Sequence, residues 1–305
     1  MRKIWSLTSV LCLFLLGTNV FAMSSTNYWI PWDNVNSGGS DIGTSTNFSL
    51  RDTIGGMAVG TGTSANYSLS SGYRVPEAAN TLSYLVKTSN TAPTTYSAFT
   101  NGVGGTVTVS SVAGISVGDL IAVVENRGFG QLVAIGRVSS SVGLVLTVDQ
   151  FEGDGGVMSA APAGGDDFVY LLNANSFDFG TVSAGVENTN VVGTSVLTNI
   201  ATGYSVYLQA NQNLQNASAQ IMAPVTDGTV SVGSEEYGAE VTGATAVDAG
   251  TDLSVSTTQR VIQSSGAQTG TISDKVGMIF KLSIISSTNP GVYTQTVYYT
   301  LTANY

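Results

Sequence analysis

Five carboxylates near the middle of the chain are of the type that binds metal ions. They surround one Gly-rich stretch and are Asp149, Glu152, Asp154, Asp166 and Asp167. Carboxylate oxygens are preferred ligands of Ca²⁺. Their spacing does not fit an EF-hand, because Phe151 stands where that loop needs an oxygen ligand. The alternative is a solvated acidic loop, so no metal is predicted and the five residues stay as calcium candidates only.

Three aromatic side chains near the N-terminus are of the type that contacts sugars. Tyr28, Trp29 and Trp32 lie within five residues of one another. Flat aromatic rings stack on sugar rings, which would make these residues a ligand-contact site for glycans. The alternative is that they pack one strand on its neighbour, since aromatic residues are favoured on half-buried sheets.

The residue types needed for the common hydrolytic mechanisms are missing or badly placed. The chain has no His, which excludes Ser-His-Asp and Cys-His triads and His-ligated metals. Glycoside hydrolysis needs two acids across a cleft, whereas the paired acids Glu235-Glu236 and Asp166-Asp167 are adjacent and point to opposite faces of a strand. The sequence therefore predicts a protein that is not an enzyme and has no cofactor.

The charge balance narrows the possible partners. Ten Lys and Arg stand against 20 Asp and Glu, for a net charge of −10. A nucleic-acid-binding protein needs basic residues to displace the counterions of the phosphate backbone. The composition thus predicts no nucleic-acid partner.

The first 22 residues are typical of a secretory signal peptide. Arg2 and Lys3 precede an apolar run at residues 4–16, and Val20-Phe21-Ala22 forms a cleavage site with small residues. The run is too short to span a bilayer, and no transmembrane helix is predicted in the mature chain. Cleavage removes two basic residues, no acidic residue and the single cysteine, so the mature charge becomes −12. We expect an exported protein whose stability owes nothing to disulfides.

Apolar periodicity and turn residues predict an all-β protein. Val297, Tyr299, Leu301 and Ala303 alternate with more polar residues, and residues 204–211 repeat this period of two. The turn residues Asn289-Pro290-Gly291 predict an antiparallel hairpin between residues 280–285 and 292–304.

The mature chain separates into three regions that differ in residue pattern. Residues 23–78 contain an internal repeat, SSTNYWI, TSTNFSL and TSANYSL, with a period near 20 that fits one β-hairpin per copy. Residues 81–172 are predicted to form a small β-barrel or sandwich module. Residues 173–305 have the size of an immunoglobulin-like β-sandwich.

Several stretches resemble modules of exported bacterial cell-surface proteins. The repeat NFSLRDTIGGMAVGTGTSANYSLSSGYR at 47–74 resembles a Tyr-x-Leu, Thr-Ile-Gly, Ser-Gly-Tyr repeat of such proteins. SFDFGTVSAG at 176–185 is similar to the start of immunoglobulin-like modules, and NPGVYTQTVYYTLTANY at 289–305 to the last hairpin of pilin-like and spore-coat-like sandwiches. VSSVAGISVGDLIAVV at 109–124 resembles small β-barrel modules of surface and phage-tail proteins. The resemblance implies surface-exposed β modules and brings no catalytic residues.

These observations favour a non-enzymatic, exported protein at the cell surface or outside the cell, with a structural or adhesive role. Few Pro, Lys and Arg are available to block sheet edges, which predicts an open edge for strand addition to itself or to other surface proteins. The C-terminal strand and the N-terminal repeat are the expected places. A carbohydrate-binding protein using Tyr28, Trp29 and Trp32 is the first alternative. An outer-membrane β-barrel, suggested by the alternating strands, is the second.

Overall fold

The computed structural model describes residues 80–89, 91–128, 130–162 and 164–304, together with six short strands near the N-terminus. The chain divides into two compact units, Met1–Ala79 and Asn80–Tyr305. The described residues contain no α-helix, and their only helical turn is a 3-10 turn at Asp154–Gly156. The all-β prediction is confirmed. Within this described part, no helix is long and apolar enough to cross a membrane.

The first unit contains three antiparallel strand pairs, β1 with β2, β3 with β4 and β5 with β6. These strands are β1 Ser24–Ser25, β2 Tyr28–Trp29, β3 Gly43–Thr44, β4 Ser49–Leu50, β5 Gly60–Thr63 and β6 Ser68–Ser71. Tyr28 and Trp29 form β2, whereas their side chains and all of Trp32 lie outside the described residues.

The first part of the second unit has seven strands, six of which form a closed ring. Its strands are β8 Thr94–Thr100, β9 Thr106–Val109, β10 Leu120–Glu125, β11 Leu132–Val142, β12 Val145–Val148, β13 Glu152–Gly153 and β14 Phe168–Leu172. The order β10-β14-β8-β9-β12-β11 closes because β10 also pairs with β11, and β13 adds to β11. We call this ring the barrel.

The rest of the second unit is built from two main sheets that face each other across an apolar core, and we call it the sandwich. Its strands are β7 Leu82–Thr88, β15 Glu187–Thr198, β16 Tyr204–Ala210, β17 Gln215–Asn216, β18 Glu236–Thr242, β19 Asp252–Leu253, β20 Arg260–Ser265, β21 Asp274–Ser283, β22 Tyr293–Thr294 and β23 Val297–Ala303. One sheet has the order β19-β18-β21-β15-β7 and the other β20-β16-β23. A small ribbon pairs β17 with β22.

The period-two patterns place the strands as the sequence predicts. Tyr204, Val206 and Leu208 in β16 are buried, and β23 alternates between half-buried and exposed residues along its whole length. The inward rows of the two sheets form one core that includes Phe280 and Met278. Apolar alternation thus fixes which face of each strand is buried.

One expectation about strand partners is wrong. Residues 280–285 and 292–304 do not form a hairpin, since β21 pairs with β15 and β18 whereas β23 pairs with β16 in the other sheet. The turn in this connection lies at residues 285–288, where Thr288 N donates to Ile285 O, and Asn289-Pro290-Gly291 follow it on the way to the other sheet. β7, which precedes the barrel in sequence, pairs with β15 in the sandwich. The first strand of residues 81–172 thus belongs to the sandwich.

The barrel and the sandwich share an apolar cluster. Val133, Ile135 and Leu172 of the barrel pack with Val191 and Ile279 of the sandwich. Glycine permits the close approach here, since a Cβ atom on Gly193 would lie 2.6 Å from Leu172 Cδ1. The two parts of the second unit are consequently packed as one body.

Candidate functional site: a groove at the open edge of the sandwich

The strongest candidate site is a groove between the edge strands β7 and β23. Its volume is about 640 Å³. Its walls are the ends of these two strands and the segment around β22, and its floor is made of aromatic and aliphatic residues of the sandwich core: Phe177, Phe179, Leu214, Tyr237 and Phe280. The Phe177 and Phe280 ring centroids lie 5.1 Å apart, so the floor is closely packed.

The strand β23 presents free backbone groups towards this groove. Asn304 N donates to Gly203 O, and Asn211 N donates to Thr296 O, so the even-numbered residues of β23 bond to β16. In an antiparallel ladder the intervening residues point their N–H and C=O groups away from the partner strand. The backbone groups of Val297, Tyr299, Leu301 and Ala303 therefore face outward, with no hydrogen-bond partner among the described residues.

The strand β7 forms the opposite rim in the same way. Asn199 N donates to Thr81 O, which places the odd-numbered residues of β7 on the β15 side. Thr88 uses its outward groups in two hydrogen bonds with Ala174, both 3.0 Å long. Leu82, Tyr84 and Val86 keep theirs unpaired within the described part of the chain, and of these three Val86 lines the groove.

Side-chain polar groups at this flank also lack partners. The hydroxyls of Tyr84 and Tyr299 and the amide oxygen of Gln295 are buried without a hydrogen bond to any described residue. Burial raises the pKa of Tyr299, and the neighbouring Tyr84 and Tyr237 add to this effect. Unpaired buried polar groups are unfavourable, so these three groups reduce the stability of this flank.

No known protein family, curated protein or solved structure matches this chain. Its function must therefore be inferred from its own geometry. A groove with an apolar floor and unpaired backbone groups on both rims suits an extended polypeptide, because only a peptide supplies apolar side chains and backbone partners together.

Three of the five calcium candidates lie where the barrel meets the sandwich. Among the described residues, no three Cys, His, Asp or Glu side chains are arranged to hold a metal ion. Asp149 pairs with Lys275, and Glu152 accepts a hydrogen bond from Lys275 N. Asp154 accepts hydrogen bonds from Val133 N and Thr242 Oγ1.

The other two candidates belong to the loop before β14. Asp167 is buried and accepts hydrogen bonds from Asn126 N and Gly164 N, each 3.0 Å long. Asp166 is exposed, and its backbone oxygen accepts from Arg127 N. Four of the five carboxylates thus act as acceptors that hold neighbouring backbone in place.

A separate charged cluster lies on the outer face of the sandwich. Lys281 Nζ is 2.6 Å from Glu240 Oε2 and 2.9 Å from Asp252 Oδ1, the second being an ion pair without a well-aligned hydrogen bond. Burial lowers the pKa of Lys281, but hydrogen bonds and attraction to the two carboxylates outweigh it and raise the pKa overall. Glu187 stands beside this cluster with Oε1 buried and unpaired among the described residues.

We expect Glu187→Gln to stabilise the protein at neutral pH. Burial raises the pKa of Glu187, Lys281 opposes this, and Asp252 and Glu240 raise it further. A carboxyl with a raised folded-state pKa binds its proton more tightly when folded, so its contribution to stability falls as the pH rises through that pKa. The gain should be about 1 kcal/mol at pH 7, the low end for an unpaired buried polar group.

Urea unfolding of this variant and the parent at several pH values measures the effect. The advantage of the variant should shrink as the pH falls and Glu187 of the parent becomes protonated. Asp248→Asn, at an exposed position, is the control and should show no such trend. An advantage that does not depend on pH would contradict the interpretation.

Proposed function

We propose that this chain is an exported, non-enzymatic protein with a structural or adhesive role at the cell surface or outside the cell. In this proposal residues 1–22 are a signal peptide, and the mature chain associates with copies of itself or with other surface proteins by strand addition. The observation that carries it is the outward row of unpaired backbone groups on β23.

The surroundings of β23 support association at this edge. Unpaired edges pair with other chains unless Pro, Lys or a bulge blocks them. β23 contains none of these residues, and its ladder with β16 runs without interruption over seven residue pairs. Its outer face carries Tyr298, 54% exposed, and two exposed threonines, so no charge opposes a neighbouring strand.

The groove beside this edge adds an apolar contribution. Among the described residues, Lys87 and Asp178 are its only charged lining residues, and Lys87 Nζ already donates to Asn175 Oδ1. Burial of apolar side chains against the aromatic floor would stabilise an added strand by roughly 25 cal/mol per Å². A strand that pairs with β23 and places alternate side chains in the groove uses both features.

Blocking the edge should weaken association of the mature chain. We expect the double variant Tyr298→Lys/Ala303→Pro to raise the dissociation constant roughly tenfold, a loss of ~1.4 kcal/mol. Lysine adds a charge at the edge, and proline removes an outward N–H without breaking a bond to β16. Sedimentation velocity over a range of concentrations, with electron microscopy of the samples, measures the change.

A matched control is Val142→Lys, which adds the same charge at a position 73% exposed in the barrel. It should associate like the parent, and all three proteins should unfold at similar temperatures. If the edge variant associates as well as the control, β23 is not the contact surface. A parent chain that stays monomeric at all concentrations would rule out self-association.

A further inference from the structure

A small cavity lies where the barrel meets the sandwich. About 20 Å³ of it is open to the centre of a water molecule, and its lining residues are Arg127, Gln131, Tyr170, Thr189, Asn190 and Val191. A space of about 10–15 Å³ by this measure is enough for one water molecule, so the cavity has room for one water molecule or one ion of similar size. Its lining differs from that of the groove in its side chains, most of which are polar.

The orientation of the Gln131 amide is fixed by its neighbours. Gln131 Oε1 accepts hydrogen bonds from Thr189 Oγ1 at 2.6 Å and from Gly128 N at 3.2 Å. A backbone N–H can only donate, so the oxygen must be on that side and the NH₂ group on the other. Gln131 is only 6% exposed, and its Nε2 has no partner among the described residues. A residue that lines the cavity thus has two buried N–H donors without a partner among the described residues.

A second unpaired group and a cation complete the lining. The Tyr170 hydroxyl is buried and has no hydrogen-bond partner in the described part of the chain. The Arg127 guanidinium carbon lies 6.0 Å from the centre of the Tyr170 ring, and Arg127 forms no ion pair with a described carboxylate. Burial raises the pKa of Tyr170, and Arg127 opposes that shift as the one charged group of the described chain that acts on it.

We propose that this cavity binds a small monovalent anion of about the size of chloride. Two amide N–H donors, a phenol O–H and a guanidinium would surround the ion, and no carboxylate of the described residues lines the site. Buried donors without acceptors are unfavourable, and a buried anion is tolerated only where charge and hydrogen bonds compensate it. The ion accepts hydrogen bonds from these donors, and the guanidinium compensates its charge. It also bridges Gln131 of the barrel and β15 of the sandwich, which stabilises their joint.

The test is the unfolding temperature of the full mature chain in sodium chloride or bromide against sodium gluconate at constant ionic strength. A ligand that binds only the folded state stabilises it by mass action. A halide concentration about ten times the dissociation constant should raise the midpoint of thermal unfolding by roughly 3–5 °C for a chain of this size. Arg127→Gln and Gln131→Glu should lose this halide response, because the first removes the cation and the second replaces donors by a carboxylate. Arg260→Gln, at an exposed arginine remote from the cavity lining, should keep it.

Tyr170→Phe is the further variant if Gln131→Glu does not fold, and it should reduce the halide response in part. Anomalous scattering from bromide in crystals locates the ion directly. An unfolding temperature that is equal in halide and gluconate would show that the cavity holds water and overturn the proposal. A halide response that persists in Arg127→Gln and in Tyr170→Phe would overturn it as well, since the ion would then bind elsewhere. None of these results depends on whether the chain self-associates.

Discussion

Replacing Lys275 with methionine will lower the free energy of unfolding by about 3 kcal/mol, although methionine fills a similar volume. The Lys275 side chain is completely buried, and its Nζ lies 3.0 Å from both Asp149 Oδ2 and Ser273 O. Without the ammonium group, Asp149 loses its partner in a region where only 23% of its side chain is exposed. A buried charge left without its partner is strongly unfavourable, whereas removing both members of the pair is much less so.

A double-mutant cycle isolates this interaction. Asp149→Asn combined with Lys275→Met should be more stable than Lys275→Met alone, with a coupling energy of at least about 1 kcal/mol. The asparagine side chain would keep the Oδ1 acceptor that Arg137 N and Gln150 N use in the parent. Lys87→Met is the control, because among the described residues its ammonium group bonds only the neutral Asn175, and the expected loss is below about 1 kcal/mol.

The same experiment tests whether barrel and sandwich fold together. Asp149 follows β12 of the barrel, and Lys275 belongs to β21 of the sandwich, so the pair joins the two parts. Together with their shared apolar cluster it predicts one cooperative transition for residues 80–305. Two separate unfolding transitions in the parent, or full stability of Lys275→Met, would show that the joint contributes little.

The sequence predicts the strands well and their partners poorly. The alternation in β16 and β23 is a local property, because apolar residues two apart share a face, and it survives in the structure. Pairing of β23 with β16 rather than with β21 is not local. The turn residues Asn289-Pro290-Gly291 allow a reversal of direction, but they do not decide whether the chain returns to the same sheet or crosses to the facing one.

The candidate sites also depend on contacts between residues far apart in sequence, which the local sequence does not reveal. Each of the sequence-based candidates is a cluster along the chain, whereas the groove joins β7 to β23 and the cavity joins Gln131 to Thr189. Nothing local distinguishes Gln131 from other glutamines, since its amide is oriented by a threonine of another strand. The partners of Asp149 and Glu152 are equally non-local, because the Lys275 ammonium group pairs with Asp149 and the Lys275 backbone N–H donates to Glu152.

Glycine residues within strands are one feature of the sequence that indicates the close contact between barrel and sandwich. Gly193 and Gly277 interrupt the apolar strands β15 and β21, where glycine is otherwise unfavourable. In the structure a Cβ atom on Gly277 would lie 3.1 Å from Val133 and 3.3 Å from Ile135, and one on Gly193 would press on Leu172. Strand glycines of this kind indicate that another layer approaches closely, although they do not identify it.

Replacing Phe280 with alanine will destabilise the protein by about 3–5 kcal/mol and also weaken association. Phe280 is 1% exposed, and its ring lies 5.1 Å from that of Phe177 and 6.2 Å from that of Tyr237. Its removal leaves a cavity in the sandwich core under the floor of the groove. Urea unfolding gives the loss of stability, and Phe168→Ala, at a half-buried phenylalanine of the barrel, should lose only about 1–2 kcal/mol.

The association of Phe280→Ala separates two ways in which a strand could be added. The variant leaves every outward backbone group of β23 in place, because Phe280 belongs to the other sheet. If backbone pairing alone holds the added strand, the dissociation constant should stay unchanged at temperatures where the variant is folded. If side chains of the added strand enter the groove, it should rise severalfold, since apolar contact is lost at the floor. We expect the second result, because the apolar groove beside β23 allows an added strand to bury apolar side chains as well as to form backbone hydrogen bonds.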